Sequence, residues 1–357
     1  MPSTRKYYVG VLGATTIKGQ ELISKLGNHP FFEIIELADS NELVGKRYRD
    51  VCDWRLQGVM PDRVGNIKLS ACRAPLYCEL VFSCLPADVA GAVERQLAGH
   101  GYPVISAASA HRMAEDVPLI IPEVNPGHIK LINFQRVARA YSDGFIIASP
   151  NTIVSNLAPA LAPIDRAFGL EAVSVSTVQL FHESGHSSVA PQNAAAAVSI
   201  VQEETCVEAE TLKILGALQN GFVAPASFRI SAHCYPINGS GEQMMSVSVK
   251  LKEEASETAF IEALKAASNL AADLKLPSAV ARSALVAPEQ GPSIESIREK
   301  GYSPVIFGIR KCPVLDFKFT LLSRSAGRTP ASTALLNAEY LTAKDYLSSP
   351  ALAPWAV

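Results

Sequence analysis

The amino-acid sequence predicts an α/β protein: a doubly wound parallel sheet followed by an α+β unit. Three observations carry this expectation. Short apolar runs alternate with helical patterns through the first 150 residues, as repeated β-turn-α units do. After Pro150-Asn151 the pattern changes to runs in which polar and apolar residues alternate. The 357 residues are enough for two units that each bury a core. The expected units are 1–150 and 151–328, with 329–357 returning to complete the first.

In order along the chain, residues 7–12 read as a strand that ends in a glycine-containing turn. The helix after it carries Leu22, Ile23 and Leu26 on one face. Residues 32–38 and 80–84 read as further strands. Pro86 then opens a helix with Val89, Val93 and Leu97 at four-residue spacing. Residues 103–106 and 145–148 are two more strands. In the second unit, 173–178 and 246–251 read as half-buried antiparallel strands, and 316–322 as another. Helices are expected at 191–204, where alanines cluster, at 259–274, and over 331–346 at the end.

A composition of 48% hydrophobic and 18% charged residues is that of an ordinary globular protein. The net charge of -2 and pI near 6.4 argue against nucleic acid or an anionic membrane as a partner. No apolar run reaches membrane-spanning length, and the start, MPSTRKYYVGVLG, has no signal-peptide core. The seven cysteines are odd in number and show no CxxC spacing, the pattern of reduced thiols in a cytoplasmic protein.

Several strings lie in order across nearly the whole chain: VGVLGAT, FSCLPADVAG, YPVISAASAHRM, PLIIPEVNP, SPN at 149–151, LKILG at 212–216, SAHC at 231–234, SVSVKL and LLNAEYL. Together they resemble the aspartate-β-semialdehyde dehydrogenase family, particularly its archaeal and fungal branch. The resemblance implies a Rossmann-type domain, an α+β catalytic and dimerisation domain, a returning C-terminal helix, and a homodimer acting on a small molecule.

The family reductively dephosphorylates aspartyl phosphate with NADPH, through a cysteine that follows an asparagine. A thiolate is needed because it attacks the acyl carbon and later leaves. Here Asn151 is followed by Thr152. The family's basic histidine precedes SVSV, and an ungapped count from Cys234 to Ser246 puts Gln243 in its place; glutamine cannot shuttle a proton. Pro236 stands at the position of the substrate-carboxylate arginine, and Cys206 at that of a lysine before LKILG. Arg112 alone survives of the cations, although a small, doubly charged substrate needs fixed partners. The expected pocket holds Asn151, Gln179, Arg112, Tyr235 and Met244, and is more apolar than the family's.

The turn from Gly10 through Gly13 and Thr16 to Gly19 resembles the family's GxxGATGxxG loop, in which glycine lets the backbone approach a pyrophosphate. Thr16 replaces the middle glycine and is expected to put a side chain where the phosphate would sit. After the second strand, Asp39 suits the ribose hydroxyls of NAD better than NADP. A third cofactor segment, before the last helix, keeps only Arg328. These three departures lead to the expectation of no bound cofactor. The intact FSCLPAD string keeps NAD(P) open.

After Gln179 the sequence runs into His182-Glu183-Ser184-Gly185-His186. This reads either as a replacement acid/base set or as a polar surface loop. It also fits H-E-x-x-H, but zinc binding needs both histidines on one helical face, and here the string follows a strand and contains glycine, so no metal is expected. The reading that results is a homologue that has lost the redox centre. It acts as a non-redox isomerase, cyclase or lyase, possibly in specialised metabolism, with His182, Glu183, His186, Thr152 and Gln243 at its site. A catalytically silent homologue and a divergent NAD(P)-dependent semialdehyde dehydrogenase stand as alternatives.

Overall fold

A computed structural model of the protein describes residues 6–181, 194–238, 242–266, 269–287, 303–324 and 327–347. The first sheet contains β1 (Tyr7–Leu12), β2 (Phe32–Asp39), β3 (Ser70–Ala71), β4 (Leu80–Ser83), β5 (Pro103–Ser106) and β6 (Phe145–Ala148). Its order is β3-β2-β1-β4-β5-β6 and every pairing is parallel. Parallel neighbours need crossovers, and α1 (Ile17–Leu26), α2 (Ala87–Gly99) and α3 (Leu131–Arg139) supply three of them. The strand order reverses between β1 and β4. In such sheets ligands bind at the carboxyl ends of the strands beside that switch point.

The face of α2 differs from the expected one. Val89 is 45% exposed, while Ala90, Glu94, Leu97 and Ala98 are buried. Small residues let the helix lie close to the sheet, and Glu94 is tolerated inside because Ser106 Oγ donates to it at 2.7 Å.

After β6 the chain enters α4 (Thr152–Phe168), a helix with Pro159 and Pro163 in its interior. Each proline removes a backbone hydrogen bond. The helix survives because every residue from Ile153 to Ile164 is buried, and each large aliphatic side chain so covered contributes roughly 2 kcal/mol. It runs in the core that the two halves share, with residues of both sheets packed in one cluster.

Beyond α4 come β7 (Leu170–Phe181), α5 (Ala194–Ile214), a small hairpin of β8 (Ala217–Gln219) and β9 (Phe222–Ala224), β10 (Arg229–Asn238), β11 (Glu242–Leu251), α6 (Glu257–Lys265), β12 (Leu285–Val286), β13 (Val305–Lys311) and β14 (Phe317–Arg324). The second sheet has the order β10-β7-β11-β14-β13-β12. As alternation predicted, β7 and β11 pair antiparallel. β10, by contrast, lies parallel to β7, because α5 intervenes as a crossover. One face buries Val175, Val247, Phe317 and Phe319, with Phe260 of α6 stacked on Phe317 at 4.2 Å between centroids.

β10 is an edge strand, and α5 covers its edge. Glu204 accepts a hydrogen bond from Cys234 N and Glu208 one from Ala232 N, each at 2.9 Å. The last helix, α7 (Pro330–Ala343), packs on the first sheet. Thr329 Oγ1 donates to Glu21 at 2.6 Å, buried His29 meets buried Glu339 at 2.9 Å, and Asn337 donates to Ile120 O and Ser149 Oγ. Among the described residues, no helix is long and apolar enough to cross a membrane.

Candidate active site

The carboxyl end of β1 opens into the glycine loop. Gly13 has φ +66, and a Cβ there would meet Cys84 O at 2.8 Å; a Cβ on Gly19 would meet Gly13 O at 2.3 Å. Only glycine fits either place. Gly10 lies under Cys78 Sγ, again with no room for a side chain. Thr16 turns its hydroxyl into the loop. Its hydroxyl lies 2.8 Å from Gly13 O and accepts from Gly19 N at 3.1 Å, so it caps α1 from inside the loop. The hydroxyl thus fastens the loop to the start of α1.

Asp39 ends β2, and its Oδ2 accepts from both the amide and the hydroxyl of Thr15, at 2.9 and 2.8 Å, while Oδ1 accepts from Ser40 N. It holds the loop to β2. Arg328 is 8% exposed, 3.0 Å from Glu123 Oε1, and donates to Ser283 O. It forms an interior ion pair.

At the carboxyl end of β6, Asn151 caps α4, its Oδ1 accepting from Ile153 N at 2.7 Å. Asn151 N donates to Glu210 Oε2 at 2.7 Å, and its Nδ2 to Glu203 Oε1 at 2.9 Å. Glu210 Oε1 accepts from Arg112 at 3.0 Å. Three residues later on α5, Lys213 donates to the carbonyls of Arg112, Ala114 and Val117 at 2.7–2.8 Å. Helix α5 therefore grips Arg112 by guanidinium and backbone, and fixes it relative to Asn151. Burial pushes the Lys213 ammonium down to about 8. Burial also raises the Glu210 carboxyl, against the pull of Arg112.

Thr152 is the half-buried first residue of α4. Gln243, 1% exposed, faces it from β11. Asn156 joins them, donating to Thr152 O at 2.9 Å and to Gln243 Oε1 at 3.3 Å, and Ser323 Oγ donates to Gln243 Oε1 at 3.4 Å. Gln179 stands opposite Gln243 on β7. The structure thus gathers Asn151, Thr152, Gln243, Gln179 and Arg112 around the start of α4.

Tyr235 and Met244 do not join them. They are 52% and 44% exposed, on the outer face of the second sheet, because strand neighbours alternate and Cys234 and Gln243 take the inner face. The expected place of these two residues in the pocket is corrected. His182, Glu183 and His186 lie outside the described residues. Among the described residues, no His/Cys/Asp/Glu group is arranged to hold a metal.

Three cysteines among the described residues have thiols that burial disfavours as thiolates. Burial pushes Cys84 up to about 12 and Cys234 up to about 11. Cys206 is raised by burial, then by Glu210 and Glu203. One cation escaped the sequence reading. Lys18, in the first turn of α1, keeps an exposed side chain. Surrounding protein and the Arg112 charge hold its ammonium below the usual lysine value. Its only signal in the sequence was a charge inside the glycine loop.

A parallel sheet in the order 3-2-1-4-5-6 with a tight glycine loop at β1 defines a doubly wound, Rossmann-like α/β protein. The family model described as Semialdehyde dehydrogenase, NAD binding domain, matches residues 8–132. The chain is 35% identical over 344 residues to an aspartate-semialdehyde dehydrogenase of Archaeoglobus fulgidus, covering 94% of this chain and 98% of the relative. It is 32% identical over 363 residues to that of Aspergillus fumigatus, covering 97% and 100%. A crystal structure of the Candida albicans enzyme with NADP superposes with a TM-score of 0.84 at 29% identity, over 96% of this chain and 100% of that one. The chain belongs to the aspartate-semialdehyde dehydrogenase family.

Proposed function

We propose that this chain is a divergent NAD(P)-dependent oxidoreductase of the semialdehyde class that works without a covalent thioester. One observation carries the reading: the glycine loop is tight and capped, while the residue that starts α4 at the carboxyl end of β6 is Thr152, joined through Asn156 to a buried Gln243. The loop around Gly13 and Gly19 and the first turn of α1 fit a pyrophosphate, and a relative carries NADP. A bound nicotinamide supplies or accepts a hydride. Asn151 and Arg112 position a small anionic carbonyl compound, and the Thr152 hydroxyl hydrogen-bonds its oxygen. With no thiolate, no acyl-sulfur bond forms and phosphate has no part in the reaction. The test is to titrate NADH and NADPH by fluorescence, then assay short carboxylate-bearing aldehydes with and without phosphate. Dinucleotide binding with phosphate-independent turnover is expected. Absence of binding at millimolar dinucleotide would sink the reading.

A second reading, a non-redox isomerase, cyclase or lyase, is favoured by the same Thr152 and Gln243, since neither supplies a thiolate or a titrating base. There His182, Glu183 and His186 would carry protons, and activity would persist without nicotinamide. In either reading we take two copies to pair through the outer face of the second sheet, where Tyr235, Ile237 and Met244 are exposed. The seven unbridged cysteines fit a reducing cytoplasm.

A further inference from the structure

The inner face of the second sheet, beside the start of α4, carries buried polar atoms that the other described residues leave unanswered. Asn156 lies one turn into α4 from Thr152 and is fully buried. Its Nδ2 donates to Thr152 O at 2.9 Å and to Gln243 Oε1 at 3.3 Å, which fixes the orientation of its amide. Its Oδ1 has no partner among the described residues. Gln243 Oε1 accepts from Asn156 and, at 3.4 Å, from Ser323 Oγ. Nε2 is therefore the other end of that amide, and it too has no partner among the described residues. Thr177 stands two residues before Gln179 on β7, opposite Met245 and diagonal to Gln243 on the same face. It is fully buried, and its Oγ1 is likewise unanswered among the described residues. Beside it on β10 is Cys234, whose thiol is a weak hydrogen-bond partner.

Unpartnered buried polar atoms are rare, because each costs the desolvation of its group unless a ligand or water answers it. The three here are complementary to a single oxygen. Gln243 Nε2 only donates, Asn156 Oδ1 only accepts, and the Thr177 hydroxyl does either. A carbonyl or carboxylate oxygen cannot donate to Asn156, and an ammonium cannot accept from Gln243. A hydroxyl does both. Because an amide does not titrate, glutamine keeps this polarity at every pH, as the imidazole of the family pattern would not.

We infer that Asn156, Thr177 and Gln243 form a one-oxygen site for a hydroxyl. The small anionic compound therefore binds in an sp3 form, as an alcohol or a hydrated aldehyde, and water answers the same three atoms when no such compound is bound. The inference deepens the oxidoreductase reading and rests on it for calling that compound a substrate. The hydroxyl site itself is measured without any dinucleotide.

The experiment titrates the full chain, without dinucleotide, with malonate, hydroxymalonate and ketomalonate by calorimetry. Ketomalonate is a geminal diol in water, so the three dicarboxylates differ only in hydroxyl groups on the central carbon. A site built to hydrogen-bond a hydroxyl rejects the analogue that lacks it, because its buried groups are left unpaired. Native protein should bind hydroxymalonate or ketomalonate about tenfold or more tightly than malonate, and the tighter of the two distinguishes an alcohol from a hydrate. Thr177→Val keeps the side-chain shape and loses the hydroxyl. It should cut the preference to about threefold or less with malonate affinity unchanged, while Thr177→Ser should retain it. A crystal structure of the native protein should show a water oxygen within about 3.2 Å of Gln243 Nε2 and Asn156 Oδ1, displaced by the tighter ligand. Equal affinity for the three compounds, no binding of any of them, an undiminished preference in Thr177→Val, or no oxygen at that place would each overturn the inference. NADH titration of the same protein keeps the two readings apart. A hydroxyl preference without NADH binding leaves the site standing and sinks the oxidoreductase reading; NADH binding without a hydroxyl preference does the reverse.

Discussion

Asn156 donates to Gln243 Oε1 at 3.3 Å while also holding Thr152 O at 2.9 Å, so the two positions at which the resemblance places a thiol and an imidazole are tied by one amide. Neither is free to move independently. Installing one missing group therefore does not rebuild the pair.

Thr152→Cys should acquire no phosphate-dependent dehydrogenase activity, because Gln243 supplies no base. The new thiol sits at a helix N-terminus, which lowers a thiol pKa. In a Cys312→Ser background, which removes the exterior thiol whose pKa is lowered by the Leu315 amide, iodoacetamide should label Cys at 152 before the buried cysteines. Mass spectrometry reads the order. Appreciable NADPH-linked turnover by the single variant would refute this account.

Glu210→Ala should be among the most destabilising single changes. It leaves the buried Arg112 guanidinium uncompensated and frees Asn151 N, a loss of about 3 kcal/mol. Urea denaturation measures it. A change under 1 kcal/mol would mean α5 is not the clamp.

Thr16→Gly restores the glycine of the loop pattern but removes the cap of α1. A loss of a few tenths to about 1 kcal/mol is expected, with NADH affinity within threefold of native, since the hydroxyl points into the loop. A large gain in affinity would show that Thr16 does obstruct the phosphates.

Burial pushes the Glu94 carboxyl up to about 7, against the hydrogen bond from Ser106, and burial lowers the pKa of His111 nearby. A folded pKa above the unfolded one means the native state binds more protons between about 4.5 and 7. Stability from this group is complete below about 4.5 and is lost as pH rises through about 7. Glu94→Gln should flatten that dependence and gain on the native protein above pH 7. Urea midpoints at pH 5 and 7.5 decide it; parallel pH profiles would count against it.

Ile237→Lys, on the outer face of the second sheet, should leave the monomer folded and reduce its self-association in sedimentation velocity. If the native chain is monomeric at micromolar concentration, the proposed pairing is wrong.

Much of the first sheet was legible because its strands are short and mostly apolar: β1, β5 and β6 fall where the runs predicted. Helix α4 was not, because it is buried on all sides and so shows no periodicity, and its two prolines read as breakers. Thr152 and Gln243 were placed by register alone, and the structure brings them together. Tyr235 and Met244 were misplaced because position in a segment says nothing about which face of a strand is inside. The inward hydrogen bonds of Thr16 were not legible because a loop pattern does not reveal the direction of a hydroxyl.

The carboxylates that α5 lays along β10 have a further effect. An uncovered terminal strand is a template on which another chain can add itself, the first step toward fibrils. Here the amides of Ala232 and Cys234 are already taken, and the groups taking them carry negative charge. Contact between molecules is thereby directed away from lateral sheet growth, and the chain keeps an aggregation-resistant flank through the same helix that secures Arg112.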